Sequence, residues 1–218
     1  MGTSSKRKAQ LRAEKLKLQA SYCKKGSVLD VGFSAKPNVY LENAIGVDIS
    51  LPKQKLSNYS QVVQCNLNRD ALPFERETFD NVIAGDVIEH LENPSFFLRE
   101  VNRVMKESGK LVLSTPHAND WWTTLHNWFF RKWINDPDPG EHLQNWTVLD
   151  MTRLLRKNGF QVDFIEGFYM HFPKISLQIR VRRLPMLSWQ IFYIATKVGA
   201  PDTTVLVNID EEWRKIEQ

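Results

Sequence analysis

The chain has 218 residues, of which 42% are hydrophobic and 11% aromatic, enough to build the core of one globular domain of moderate size. This composition excludes a chain that is disordered along its length. The two cysteines, Cys23 and Cys65, lie far apart without metal-ligand spacing, which excludes a disulfide scaffold and indicates a reducing compartment. No apolar stretch resembles a signal peptide or suits a bilayer-spanning helix, so we expect a cytoplasmic protein.

Basic residues are concentrated at the N-terminus. The net charge is only +4, but the first 25 residues carry eight lysines and arginines against one acid, Glu14. Leu11, Leu16 and Leu18 predict a weakly amphipathic helix in this segment. It is interpreted either as a solvated terminal helix or as a surface for an anionic partner, such as a phosphate-bearing substrate or an acidic membrane face.

Seven short apolar runs predict β-strands. The first five are near-continuous, without alternation, which is typical of parallel-sheet strands covered on both faces. The predicted strands span residues 28–31, 44–49, 62–65, 79–84, 110–115, 161–165 and 190–196.

Helix signals lie between the strands. Asn93 is predicted to cap a helix that begins at Pro94, and Gly109 is predicted to be the left-handed residue just past its end. Thr147 is predicted to open a further helix that stops at Gly159. Strands and helices that alternate in this way predict an α/β doubly wound fold.

Two segments interrupt the alternation, one over residues 118–146 and one over 168–189. Both follow predicted strand ends, where inserted elements cover the binding edge of such a sheet. We therefore predict a basic helix over 1–25 and one domain over 26–218, with a cap formed by the first insertion and a second, arginine-rich insertion. The oligomeric state is left open.

The first insertion is rich in tryptophan. Trp121, Trp122 and Trp128 are candidates to line an acceptor pocket, together with Trp133, because aromatic walls suit sugar faces, planar rings and lipid carriers. An ordinary core or a dimer contact would explain the same residues equally well.

Acidic residues follow the first two predicted strands. Asp30 and Gly32 lie at the carboxyl end of the first, and Asp48 lies at the carboxyl end of the second. Ligands of open α/β sheets bind at this edge, where Asp48 can accept hydrogen bonds from both hydroxyls of a ribose. Ser34 and Lys36 stand where a dinucleotide fingerprint has further glycines, which argues against NAD or FAD and favours a cofactor without a pyrophosphate.

Several motifs in a fixed order carry a family resemblance. The segment LNRDALPFERETFDNVIAGDVIEHLENPSFFLREVNRVMKESGKLVLSTPH and the later EHLQNWTVLDMTRLLRKNGFQV closely resemble class I S-adenosylmethionine-dependent methyltransferases. The resemblance covers residues 26–167 and 190–196 and is nearest to small bacterial ubiquinone-type and surface-polysaccharide-type enzymes. It implies a Rossmann-like, mostly parallel seven-stranded sheet with helices on both faces and a small aromatic-rich cap. It also implies S-adenosylmethionine as the cofactor, S-adenosylhomocysteine as the product, and no metal.

The resemblance assigns cofactor contacts to four strand ends. The first strand end matches the motif that holds the methionine part, the second the ribose acid and adenine contact, the third the adenine amino group, and the fourth the methionine moiety again. The implied cofactor-binding residues are Asp30, Gly32, Phe33, Ser34, Asp48, Ile49, Asn66, Leu67, Gly85 and Asp86. Ser34 and Lys36 replace glycine and Asn66 replaces aspartate, which leaves the tightness of cofactor binding open.

Three histidines are candidates for a general base. A neutral imidazole is the side chain best matched to removing a hydroxyl proton near pH 7. We rank His142 first because it lies in a family-matching block at the end of the cap, His117 second and His90 third. Each could instead serve only to hold the surrounding loop.

The predicted function is methyl transfer from S-adenosylmethionine to a hydroxyl of a sugar or other small molecule. One alternative is a cofactor-binding regulatory protein without turnover. The other is a nucleic-acid methyltransferase, which the basic N-terminus suggests, although GDVI stands where amino-methylating nucleic-acid enzymes carry an N-P-P-Y-type tetrapeptide. Partners are expected to be a small molecule or glycan rather than nucleic acid, with contact to a membrane surface left open.

Overall fold

The computed structural model describes residues 3–130, 142–172 and 177–202. The described strands are β1 (Val28–Val31), β2 (Ala44–Asp48), β3 (Tyr59–Gln64), β4 (Phe79–Gly85), β5 (Met105–Pro116), β6 (Phe160–Gly167), β7 (Tyr169–Phe172), β8 (Leu177–Arg180) and β9 (Gln190–Lys197). Seven of them form the main sheet, in the order β3-β2-β1-β4-β5-β9-β6. Strand β9 pairs antiparallel with both β5 and β6, whereas the pairs from β3 to β5 are parallel. This confirms the predicted mostly parallel, Rossmann-like fold.

Four helices are described, and two of them begin at the predicted caps. They are α1 (Thr3–Ser21), α2 (Pro94–Val104), α3 (Trp121–Phe130) and α4 (Val148–Lys157). Asn93 accepts a hydrogen bond from the Phe96 amide at 3.0 Å, which satisfies one of the free amides at the start of α2. Thr147 accepts from the Asp150 amide at 3.1 Å at the start of α4.

Helices cover both faces of the sheet. In β5, Leu111 and Leu113 belong to a core that includes apolar residues of α2 and α4. Val112, between them, belongs to a second core against which Leu18 of α1 packs. Successive strand residues point to opposite faces, so the two cores lie on opposite sides of the sheet.

Gly109 does not cap α2, contrary to the prediction. The helix ends at Val104, and β5 starts at once with the fully buried Met105. The left-handed residue is Ser108, with φ 58°. Gly109 lies within β5, where an added Cβ would come within 2.8 Å of the Lys106 carbonyl oxygen, so the glycine is required by close backbone approach.

The second insertion contains a small hairpin. Strands β7 (Tyr169–Phe172) and β8 (Leu177–Arg180) pair antiparallel, and a 3₁₀ turn over Pro185–Leu187 follows. The first insertion includes α3, but residues 131–141, with the candidate Trp133, lie outside the described residues. Across the described ranges, no helix combines the length and the apolar character needed to cross a bilayer.

Candidate active site

The carboxyl ends of β1, β2 and β4 bring the predicted cofactor residues to one edge of the sheet. Asp30 pairs in register with Gly46 of β2 and with Ile83 of β4, so the three strands end side by side. The Gly32 amide donates to the Val47 carbonyl at 2.9 Å and closes the turn after β1. The residues that follow these strands therefore share one edge, as open α/β sheets require of a ligand site.

The turn after β1 needs only one glycine. Gly32 has φ +71°, and a Cβ on it would lie 2.4 Å from Cγ2 of Val87. Neither Ser34 nor Lys36 has a positive φ, so a residue with a side chain is unstrained at both positions. The missing glycines of the fingerprint are thus explained by the backbone path of this turn.

Asp48 holds the turn in place. Its Oδ2 accepts from the Ser34 amide at 2.9 Å and its Oδ1 accepts from the Ser50 amide at 3.1 Å. Each carboxylate oxygen has a further lone pair, so both can still accept a hydroxyl hydrogen bond. The next residue, Ile49, is 60% exposed and offers an apolar surface beside the carboxylate.

The residues after β3 form a polar turn. The Cys65 amide donates to the Asp48 carbonyl at 2.9 Å, which ties the turn to the end of β2. Asn66 uses its side-chain oxygen to accept from the Asn68 amide at 3.1 Å. Leu67 is half-buried and packs against the main core.

Asp30 is directed into the protein interior. It is 5% exposed, and its Oδ2 accepts from the Tyr59 hydroxyl at 2.5 Å. Burial raises the pKa of this carboxyl to about 7, although the bond from Tyr59 opposes the rise. The ring of Phe33 stacks on Tyr59 with 4.9 Å between centroids and is 2% exposed, so only the Phe33 backbone is available to a cofactor.

Asp86 is the centre of a polar network at the end of β4. It has φ 57°, which is uncommon outside glycine, and its carboxylate pairs with the ammonium of Lys15 from α1. Its Oδ1 also accepts from Gln190 at 2.5 Å and from the Ser114 hydroxyl at 3.3 Å. Gly85 lies against α1 as well, since a Cβ there would be 2.3 Å from Nε2 of the buried Gln19.

The N-terminal helix crosses this edge and is not simply a solvated terminal element. Besides the Lys15 pair, Arg12 donates to the Ala35 carbonyl at 3.0 Å and Asn38 donates to the Leu16 carbonyl at 2.9 Å. The partners in these contacts are 22 or more residues apart in sequence, so no local sequence pattern predicts them.

His90 and His142 meet beside the end of β4. Their ring centroids lie 4.9 Å apart. The amides of Leu143 and Gln144 donate to the Glu89 carbonyl at 2.8 and 3.0 Å, which fixes the chain after His142 against the loop that carries His90. Glu89, which the sequence reasoning missed, is 1% exposed.

Glu89 is held by β5. Its Oε2 accepts from the Thr115 hydroxyl at 3.1 Å. Burial and the neighbouring Asp86 raise the pKa of Glu89 above its usual range.

His117 lies just beyond β5 and is 4% exposed. Its amide donates to the Trp189 carbonyl at 2.9 Å, and its backbone forms a parallel bridge with Trp146. Burial lowers the pKa of His117, although the charge of Asp120 opposes this shift, so the fold favours the neutral imidazole.

The aromatic candidates of α3 divide into two groups. Trp121 is half-buried, with its ring 4.6 Å from that of Phe172 in the hairpin and 5.6 Å from that of Trp122. Trp128 is 76% exposed, and its ring centroid lies 5.0 Å from that of Phe129, which is also exposed.

Comparisons with known proteins point to one family for this chain. A family model described as "Methyltransferase domain" matches residues 5–163. A Mycobacterium tuberculosis protein named a probable S-adenosylmethionine-dependent methyltransferase is 35% identical over 132 residues, 61% of this chain and 44% of that protein. A Methanocaldococcus jannaschii protein named as uncharacterized is 33% identical over 93 residues, 41% of this chain and 44% of its own length. The chain thus spans less than half of the curated relatives it matches.

Solved structures share the fold. An S-adenosylmethionine-dependent methyltransferase from Archaeoglobus fulgidus superposes with a TM-score of 0.62 at 21% identity, covering 86% of this chain and 94% of that one. A Burkholderia thailandensis 1,6-didemethyltoxoflavin-N1-methyltransferase, solved with bound 1,6-didemethyltoxoflavin and S-adenosylhomocysteine, gives a TM-score of 0.58 at 13% identity, covering 91% of this chain and 92% of that one.

Proposed function

The chain belongs to the class I S-adenosylmethionine-dependent methyltransferases, and we propose that it transfers the methyl group of S-adenosylmethionine to a hydroxyl of a sugar or other small molecule. The observation that carries the proposal is the family match over residues 5–163, which includes every residue that we assign to the cofactor. Those residues lie at or just after the carboxyl ends of four neighbouring strands, β3, β2, β1 and β4.

In the proposed pose, the ribose hydroxyls donate to Asp48 and the adenine lies on Ile49, near Asn66 and Leu67. Support comes from the remaining acceptor capacity of the Asp48 carboxylate and from the exposure of Ile49. The methionine part lies along the turn after β1 and beside Gly85 and Asp86.

Methyl transfer requires little covalent help from the protein. The hydroxyl oxygen attacks the methyl carbon, the carbon–sulfur bond breaks with its electron pair retained by sulfur, and neutral S-adenosylhomocysteine leaves. The protein aligns the oxygen, carbon and sulfur in one line and keeps water away. The hydroxyl proton must pass to a base as the carbon–oxygen bond forms.

We propose His117 as that base. The sequence ranked His142 above it, but His142 packs against His90 and Glu89, whereas His117 is buried at the end of β5. Burial lowers the pKa of His117 and keeps the imidazole neutral, the form that accepts a proton. Thr115, two residues earlier in β5, donates to Glu89, so the proposed base follows directly on the strand that contacts the loop of His90.

The acceptor pocket is proposed to lie between α3 and the hairpin, with Trp121 and Trp122 as aromatic walls. Support comes from the contact of Trp121 with Phe172, which joins the two insertions that follow the carboxyl ends of β5 and β6. Flat apolar rings suit the faces of sugars and planar small molecules.

Two measurements test the function. Isothermal titration with S-adenosylhomocysteine reports cofactor binding, and a panel of sugars, phenols, amines and RNA with radiolabelled S-adenosylmethionine reports transfer. Binding with transfer to a hydroxyl supports the proposal. Binding without transfer to any acceptor supports a regulatory protein, and label in RNA supports the nucleic-acid alternative.

His117→Gln and His142→Gln separate the two candidate bases. Loss of the His117 base should reduce kcat by about 10²–10⁴-fold with cofactor affinity kept. An unchanged kcat and an unchanged pH profile in His117→Gln would remove the role of base from His117.

A further inference from the structure

Three side chains with metal-ligand chemistry converge beside the cofactor edge. One donor atom each from Glu89, His90 and His142 lies within 4.8 Å of the other two. Ligands around a tetrahedral zinc ion, bound at about 2.1 Å, lie about 3.4 Å apart. To hold such an ion, the three donor atoms would have to approach one another by up to about 1.4 Å.

A second observation points to a ligand at this position. Glu89 is 1% exposed, and its Oε1 has no hydrogen-bond partner within the described ranges, while its Oε2 accepts from Thr115 at 3.1 Å. A buried carboxylate oxygen without a partner is rare in proteins, because its desolvation is uncompensated. A cation bound at this oxygen would supply the missing interaction.

The surrounding fold holds the three residues together. Glu89 and His90 are consecutive in the 3₁₀ turn over Ile88–His90. His142 is 52 residues later than His90 in the chain, yet the two backbone bonds from Leu143 and Gln144 to the Glu89 carbonyl keep it beside them. Tertiary contacts therefore build the cluster, and the backbone carbonyl of Glu89 holds the segment that carries His142.

We propose that Glu89, His90 and His142 bind one divalent transition-metal ion of the zinc type. Two imidazoles and one carboxylate are the donor set that catalytic zinc sites use, with a further position open to water or substrate. Magnesium is disfavoured, since it prefers an octahedral shell of oxygen ligands.

On the proposed function, the metal would lie near the acceptor hydroxyl. Asp86, which the resemblance places at the methionine moiety, is three residues before Glu89, and Thr115 links Glu89 to β5, which ends one residue before His117. A divalent ion lowers the pKa of a hydroxyl bound to it and so assists transfer of the proton to a neighbouring base. The metal site stands apart from the proposed function, because metal binding is measurable without cofactor or acceptor.

The test uses the full chain, stripped of metal by chelation. Titration with Zn²⁺ is expected to show one saturable site, and Co²⁺ is expected to give the visible absorption bands of a low-symmetry site. Glu89→Gln, His90→Ala and His142→Ala should each weaken Zn²⁺ affinity by at least about tenfold. His126→Ala is the matched control, a histidine outside the cluster, and should keep wild-type affinity.

Circular dichroism of each variant separates loss of the site from loss of the fold. If Glu89→Gln unfolds, His90→Ala and His142→Ala decide the outcome alone, since both side chains are only half-buried. Absence of saturable Zn²⁺ binding to the wild-type chain overturns the proposal. Wild-type affinity in both folded histidine variants overturns it as well. Neither result bears on S-adenosylhomocysteine binding, which is titrated separately on the same metal-free protein.

Discussion

The ammonium of Lys15 pairs with the carboxylate of Asp86, which joins the N-terminal helix to the end of the fourth strand across 71 residues of sequence. Both side chains are mostly shielded from water, at 14% and 30% exposure. The pair keeps a basic helix against the edge where the cofactor is expected to bind.

Replacing Lys15 by methionine removes the positive partner and leaves Asp86 with Gln190 and Ser114. We expect the free energy of unfolding to fall by about 1–2 kcal/mol, because a part-buried charge loses its partner while two hydrogen bonds remain. Urea unfolding measures the loss, and hydrogen exchange should show faster opening of α1. Lys17→Met, at an exposed position of the same helix, is the control. Equal unfolding midpoints for the two variants would mean that the pair does not hold the helix.

Asp48→Ala should weaken S-adenosylhomocysteine binding by about 1.5–3 kcal/mol, or roughly 10–150-fold, through loss of charge-assisted bonds to the ribose. Calorimetry reports the affinity. Because Asp48 also accepts from the Ser34 amide, Asp48→Asn is needed beside it: it retains one acceptor for the turn. Glu42→Ala, at an exposed acid before β2, is the control. Unchanged affinity in Asp48→Ala would remove the residue from the site.

Stability should depend on pH through Asp30. Burial raises the pKa of Asp30 to about 7 in the folded protein from 3.8, so the folded state holds the proton more tightly than the unfolded chain. The resulting stabilisation is complete below about pH 4 and is lost as the pH rises toward 7, at up to about 1.4 kcal/mol per pH unit. Asp30→Asn, which stays neutral, should lack this decline.

Denaturant unfolding of both proteins across this pH range makes the comparison, with Glu92→Gln at an exposed site as the control. The difference in unfolding free energy between Asp30→Asn and the wild type should grow as the pH rises. A difference that stays constant would show that Asp30 is ionised in the folded protein throughout.

Trp121 and Trp128 should behave differently when replaced. Trp121→Phe is expected to raise the acceptor KM several-fold while S-adenosylhomocysteine affinity stays constant, because the shortened ring leaves the proposed pocket wall incomplete. Trp128→Phe, at a 76% exposed position, should leave KM and the unfolding midpoint unchanged. If Trp121→Phe changes only the unfolding midpoint, the tryptophan is core and the pocket lies elsewhere.

Some features of the site were predictable because they depend on neighbours in sequence. Continuous apolar runs placed β1, β2 and β4, and the acids that follow them had to reach one edge of a parallel sheet. Asn93 and Thr147 predicted the starts of two helices, since a capping side chain bonds to an amide only three residues further along the chain. The missing glycines were ambiguous in sequence, because only the backbone angles at Ser34 and Lys36 show that neither position needs one.

The sequence by itself determined the seven strands of the main sheet, the helix starts at Asn93 and Thr147 and the edge where the cofactor is expected, because apolar periodicity and capping act over a few residues. Only the tertiary structure decided what meets there. Lys15 reaches Asp86, and His142 reaches Glu89, through packing between segments 50 or more residues apart. Such contacts depend on how helices and insertions dock on the sheet, and no periodicity along the chain encodes which charged or imidazole groups that docking brings together.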